Sequence, residues 1–231
     1  MTISCPRSND HRESILTPQV QVTAMVMRTI IPFLLASASP RRRHLLEILG
    51  LPFSVITASV SEDVETEWTP AEIVENLAIR KAASVADEYP DALVLGADTL
   101  VVVGDEILGK PVNQSEAVRM LEMLSARTHQ VFTGLALVSR ASDRSTVGHE
   151  VTDVTFAELD PAQISAYVAS GSPMDKAGAY GIQGDLGATF VSGIRGDYYT
   201  VVGLPLHRLY KMLTSEFGDL LEFDLAPNLN L

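Results

Sequence analysis

The chain has 231 residues with 29 acidic and 17 basic side chains, a formal charge of −12 that repels nucleic acid and disfavours general DNA or RNA binding. With 46% hydrophobic and 20% charged residues it is not a disordered chain, and it can bury a sizeable core as one domain or two closely packed lobes. Its one cysteine, Cys5, leaves neither an intrachain disulfide nor a cysteine zinc site, a usage that suits a reducing cytoplasm.

Residues 1–27 are expected to be a disordered extension. Asp10, His11, Arg12 and Glu13 interrupt any apolar stretch, so no signal peptide is predicted, and Met25 and Met27 are candidate starts. No run approaches the ~20 apolar residues that span a membrane. The folded domain is placed at 28–223, with a tail at 224–231.

Ile30 to Ala36 reads as a buried strand. Ser39 then caps a helix with Pro40 at its first position, Leu45, Leu46 and Leu49 on its apolar face and Gly50 at its end. Phe53 to Thr57 predicts a second strand, and Thr69-Pro70 with Glu72 predicts a capping box for a helix reaching about Glu88. Ala92 to Val103 is a long apolar strand. Asn113 and Glu116 open the next helix, and Val131 to Val138 forms the next strand. A polar loop is expected from Arg140 to Gly148, then a half-buried strand from Val151 to Glu158. Asp160 and Pro161 start a helix that Gly171 stops. A glycine-rich loop follows, then short strands near Phe190 and Val201, and a last helix from Pro205. Alternating strands and helices with hairpin-like pairs predict an α/β fold with a mixed sheet.

Four segments stand out chemically. In Ser37-Ala38-Ser39-Pro40-Arg41-Arg42-Arg43, three arginines occupy the first turn of a helix, where the macrodipole already places positive charge. An anion resolves that conflict: serine hydroxyls, free backbone N–H groups and guanidinium forks together suit a polyphosphate. A solvated basic helix start is the plainer alternative. Asp98, in Gly96-Ala97-Asp98-Thr99, interrupts a Val- and Leu-rich strand. It serves either to cap a neighbouring loop or, at a strand rim, to hold Mg²⁺ or activate water. Lys81 falls in helical line with Val74, Leu77, Ala78 and Val85, so it either snorkels outward or reaches a phosphate. The stretch from Gly104 to Lys110 mimics the spacing of a phosphate-binding P-loop, but Pro111 replaces the required hydroxyl and Asp105 and Glu106 repel phosphate. That reading is rejected, although Lys110 remains a cleft candidate.

The fourth segment runs from Asp175-Lys176 to Gln183-Gly184. Its glycines permit close backbone approach to a ligand, and the Gln183 amide can both donate and accept, matching the edge of uracil or thymine. A flexible surface loop is the alternative.

In order along the chain, Ser37-Ala-Ser39-Pro40-Arg41-Arg42, Arg80-Lys81-Ala82, Gly96-Ala-Asp98-Thr99, Gly109-Lys110-Pro111, Thr152-Asp153-Val154-Thr155-Phe156 and the segment from Asp175 to Gly184 resemble the Maf family of nucleotide pyrophosphatases over Phe33 to Phe217. The resemblance implies two lobes around a central cleft, similar to inosine triphosphate pyrophosphatases. It also implies a divalent cation (Mg²⁺ or Mn²⁺), a cytoplasmic location and a homodimer. It assigns Asp98 as proton acceptor and possible cation ligand, and Arg41, Thr99 and Gln183 as substrate-choice positions. Ser37 and Ser39 with Arg42, Lys81 and Lys110 are expected near phosphate, and Glu62 is a weaker metal candidate. The set Arg41, Thr99, Gln183 is similar to the branch acting on dTTP and UTP, with modified pyrimidine triphosphates as further candidates. The competing function is a non-enzymatic nucleotide-binding regulator of cell division.

Overall fold

A computed structural model describes residues 24–226 apart from 64, 66 and 185. In chain order the strands and helices are β1 (Ala24–Thr29), β2 (Phe33–Leu35), α1 (Pro40–Ile48), β3 (Ser54–Val55), α2 (Pro70–Glu88), β4 (Leu93–Val103), β5 (Glu106–Leu108), α3 (Gln114–Leu124), β6 (Thr128–Ser139), β7 (Arg144–Phe156), α4 (Pro161–Ala169), β8 (Val191–Arg195), α5 (Tyr198–Val202), α6 (Leu206–Glu216) and β9 (Leu221–Ala226). The fold is α/β with a mixed sheet, as the sequence predicts.

The main sheet runs β3-β2-β4-β6-β7-β8, with β5 also on β4. β2 lies parallel to β3 and β4, while β4, β6, β7 and β8 pair antiparallel. β6 covers one edge of β4 along nearly its whole length. The other edge is shared: β2 pairs with Leu93, Val94 and Leu95, and β5 with Val101, Val102 and Val103. Between these two short partners the middle of β4 has an open edge.

Side chains alternate across β4. Leu93, Leu95 and Ala97 join a core with Leu45 and Leu46 of α1 and Leu209 and Leu213 of α6. Farther along the same face, Val101 and Val103 join a second core with α3, α4 and Tyr180. Between the two cores on that face sit Thr99 and its cross-strand partner Thr133, a polar row where the lobes meet. The opposite face receives α2, whose Ala78, Ala82, Val85 and Ala86 pack on Val94, Ala136 and Val138. Helix α2 lies close because Gly96 and Gly134 face it: a Cβ at Gly96 would stand 2.2 Å from the Ala78 carbonyl oxygen, and one at Gly134 2.3 Å from that of Val74.

Two expectations, the loop at 140–148 and the strand near Val201, are corrected. On either side of the expected boundaries at 28 and 223, β1 and β9 pair antiparallel from Ala24↔Ala226 to Thr29↔Leu221, and Arg28 forms ion pairs with Glu222 and Asp224. That pairing joins distant segments, so neither shows it locally; the rest of the extension, 1–23, and of the tail, 227–231, lies outside the described residues. The expected polar loop at 140–148 is mostly strand, since β7 begins at Arg144. Its first residues are exposed or half-buried and need no apolar face to pair with β6. Val201 lies in helix α5 rather than a strand. The Asp197 carboxylate accepts from the Thr200 N–H and caps that helix, which overrides the β preference of Thr200-Val201-Val202.

Candidate active site

A cleft of about 560 Å³, within the usual size of small-molecule sites, opens along the unpaired middle of β4. Its polar lining includes Ser39, Arg41, Arg42, Glu62, Lys81, Asp98, Thr99, Lys110, Asp175, Lys176 and Gln183. Its apolar walls come from both sides, with Ile73 and Leu77 of α2 facing Val101, Val131 and Tyr180. Because the edge of β4 is open, both Asp98 and Thr99 reach the cleft although they point to opposite faces.

On the α2 side, Lys81 Nζ donates to Asp98 Oδ1 at 2.6 Å and to Glu62 Oε1 at 2.9 Å. The Lys81 and Asp98 side chains retain only 14% and 12% of their exposure, so the pair meets in a largely dry setting. The hydrogen bond from Lys81, together with its charge, keeps the Glu62 carboxyl below the usual carboxylate range.

On the other face, Arg42 is fixed by three acceptors: Nε donates to the Gly203 carbonyl at 2.9 Å, Nη1 to Ser37 Oγ at 3.3 Å and Nη2 to Thr99 Oγ1 at 3.0 Å. Thr133 Oγ1 spends its one proton on the Thr200 carbonyl at 2.8 Å. Thr99 must therefore donate across the 3.0 Å contact to Thr133 while accepting from Arg42. Burial pushes the Arg42 guanidinium below its ordinary value and Asp98 opposes this; it remains a cation.

Arg41, on the cleft side of α1, pairs with Asp175 at 2.6 Å. Arg43 turns away, exposed, to Glu47. The predicted three-arginine cradle is thus a pair. Ser39 caps α1 and lines the cleft, its hydroxyl accepting from the Arg42 N–H at 3.4 Å. Ser37 is buried beneath Arg42, outside the cleft lining, and acts as its support. Lys110 and Gln183 line the cleft with exposed side chains. Asp98, Arg41, Thr99, Gln183, Ser39, Arg42, Lys81, Lys110 and Glu62 are brought together around one cavity.

A sequence model of the Maf-like protein family matches residues 32–216. The chain belongs to the Maf family. This Maf protein is 56% identical over 185 residues to the dTTP/UTP pyrophosphatase of Symbiobacterium thermophilum, covering 80% of this chain and 93% of that one. It is 51% identical over 187 residues to the dTTP/UTP pyrophosphatase of Bacillus cereus (strain AH820), covering 81% and 95%. Among solved structures, the Staphylococcus aureus Ham1 protein is a distant likeness, with a TM-score of 0.38 and 18% identity over 55% of this chain and 72% of that one. The β1–β9 ribbon of this Maf protein lies outside the matched region.

Residue-by-residue reading missed Thr133, Lys176 and Asp175 as members of the site. Thr133 carries no local signal, since only the strand register sets it opposite Thr99. Asp175 and Lys176 lie in a recognised segment, but their contacts run to distant or neighbouring groups that spacing does not reveal.

Proposed function

We propose that this protein hydrolyses dTTP and UTP between the α- and β-phosphates, releasing the monophosphate and pyrophosphate. The observation that carries the reading is Asp98, a largely buried carboxylate clamped by Lys81 in the lining of a cleft that also presents Arg41, Arg42 and Lys110. A carboxylate among these cations opposes phosphate binding by charge alone and is accounted for by work on water or on a cation. Membership of the Maf family and the names of the relatives at 56% and 51% identity support the same activity.

In this reading Arg41, Arg42 and Lys110 bind and neutralise the triphosphate. Arg42 needs no reorganisation on binding, because three of its five donors already hold it in place. Asp98 accepts the proton of the attacking water, and the hydrogen bond from Lys81 aims its carboxylate. Gln183 reads the base edge.

Among the described residues no cluster of three His, Cys, Asp or Glu side chains forms a cation cage. Two carboxylates sharing one lysine nevertheless fit Mg²⁺ or Mn²⁺, which binds through one or two carboxylates and completes its shell with water and substrate phosphate. Asp98 and Glu62 would hold it, and bound there it supplies charge neutralisation to the phosphates. The reading also takes the protein as cytoplasmic and homodimeric, as the family resemblance implies; among the described residues no helix is long and apolar enough to cross a membrane.

The bond cleaved is tested by incubating UTP with the protein and assaying orthophosphate with and without added inorganic pyrophosphatase. Orthophosphate should appear only when pyrophosphatase is added. Orthophosphate and UDP as first products would overturn the reading.

A further inference from the structure

Asp175 makes more contacts across the cleft than a surface carboxylate needs. Its Oδ2 accepts from Arg41 Nη1 at 2.6 Å and its backbone carbonyl from Arg41 Nη2 at 3.1 Å, so Arg41 is gripped twice by one residue 134 positions away. Its other oxygen, Oδ1, accepts from Lys176 Nζ at 2.8 Å. The Lys176 stem in turn presses on the glycine-rich segment: a Cβ at Gly181 would stand 2.9 Å from Lys176 Cε. Gln183 is two residues further on. One short stretch thus connects the start of α1 with the loop that carries Gln183, both of which line the cleft.

Arg41 does not have to leave Asp175 to bind a phosphate. A guanidinium has five N–H donors, and two are committed to Asp175. The remaining three are free in number to serve an anion while the bridge persists. Burial acts to raise the Asp175 carboxyl, but hydrogen bonds from Lys176 and Arg41 hold it below the usual carboxylate range, so the bridge is ionic at neutral pH.

We propose that Asp175 is a positioning residue that couples phosphate binding to base discrimination, by fixing Arg41 and the Gly181–Gln183 segment in one register. The proposal rests on the reading of the cleft as a dTTP/UTP site. When the triphosphate settles on Arg41, the bridge places the base at a set distance from Gln183. Without it the two segments hold the substrate independently, and a wrong base is tolerated by a small shift of the loop. Asp175 touches neither base nor reacting phosphate in this scheme; it acts through Arg41 and Lys176.

The Asp175 side chain is 58% exposed, so the ion pair contributes little to stability and Asp175→Asn should fold. The test measures kcat/KM for UTP and CTP with the unmodified protein, Asp175→Asn, Arg41→Ala and the double variant, alongside their melting temperatures. Asp175→Asn should lower the UTP:CTP ratio roughly tenfold, the scale of one misplaced hydrogen bond, with an unchanged melting temperature. In the Arg41→Ala background it should change the ratio no further, because either substitution removes the same ion pair. Equal losses for UTP and CTP, an unchanged ratio, a large fall in melting temperature, or effects that multiply in the double variant would each overturn the coupling. If the unmodified protein itself prefers neither nucleotide, the base-reading function fails, and the coupling with it. A preference that survives Asp175→Asn overturns the coupling alone.

Discussion

Lys81 reaches Asp98 because Gly96, two residues before Asp98 on the same face of β4, lets helix α2 lie against the strand. The added Cβ of Gly96→Ala would collide with the Ala78 carbonyl at 2.2 Å and the Ala82 nitrogen at 2.8 Å, both rigid backbone. The helix must move, and Lys81 moves with it. Gly96→Ala should lose about 1–3 kcal/mol in urea unfolding, the usual cost of overpacking, and turnover should fall further than the lost stability explains at temperatures where the variant is folded. Wild-type stability and turnover together would show that the close approach is not what sets the pair.

Asp98→Asn separates chemistry from folding. A buried ion pair that loses one partner is normally destabilised by several kcal/mol, about 3–5, because a charge is stranded. Lys81 is not stranded here, since Glu62 remains at 2.9 Å and the asparagine carbonyl can still accept. The variant should melt close to the unmodified protein yet turn over dTTP ~10²-fold more slowly or worse, the scale of a lost general base. Near-normal turnover in the folded variant would remove Asp98 from its role. Retained nucleotide affinity with no turnover by the unmodified protein would favour the regulator alternative instead.

The second core holds a titratable group. His129 is 2% exposed; its Nε2 lies 2.8 Å from the Tyr180 hydroxyl and its ring meets Phe156 edge-on. Burial pushes the imidazole down from 6.5 to about 4. Between those values the unfolded chain binds a proton that the folded protein refuses, so stability is full above pH 6.5 and is lost as pH falls toward 4. The loss attributable to His129 is on the order of 3 kcal/mol. His129→Gln keeps a polar partner for Tyr180 but does not titrate, so urea unfolding between pH 7 and 4.5 should show a flatter pH slope than the unmodified protein. Identical slopes would mean that other groups, the acidic ion pairs among them, carry the acid sensitivity.

Much of the fold was legible where local chemistry and tertiary need agree. Thr69 with Glu72, Asn113 with Glu116 and Asp160 with Pro161 mark helix starts that the structure keeps, because a cap satisfies backbone donors whatever the surroundings. Lys81 was legible as a charge in an apolar stripe, and Asp98 as one in an apolar strand; that they meet was not, since it depends on the helix lying across the sheet at Gly96 and Gly134. The β1–β9 ribbon was illegible for a related reason: each strand is short, and its partner is almost the length of the chain away. Val201 misled because β-branched residues favour strands until a cap such as Asp197 and the left-handed Gly203 enclose a short helix.

Gln183 lines the cleft on the segment that also carries Asp175 and Lys176, exposed and within the same cavity as Arg41 and Thr99. Its amide can accept from the N3–H of uracil or thymine while donating to a ring carbonyl oxygen. Cytosine reverses both groups, with an acceptor at N3 and an amino donor beside it, so an amide held in the orientation that serves uracil matches neither. Once a bound base covers the amide, leaving it unpaired costs ~1–3 kcal/mol, and dTTP and UTP should therefore be preferred over dCTP and CTP by roughly ten- to a hundredfold. Gln183→Ala should erode that preference more than it weakens phosphate binding, because Arg41, Arg42 and Lys110 reach the cleft from other elements. Arg41→Ala should weaken all four nucleotides, with the preference reduced as well through the lost contact to Asp175. The measurement is kcat/KM for the four pyrimidine triphosphates with both variants, and pyrophosphate release as the common readout. Equal use of UTP and CTP by the unmodified protein, or an unchanged ratio in Gln183→Ala, would take base recognition away from Gln183. Pyrophosphate release could persist under either result, because Asp98 and Lys81 lie on β4 and α2, elements the substitution does not touch.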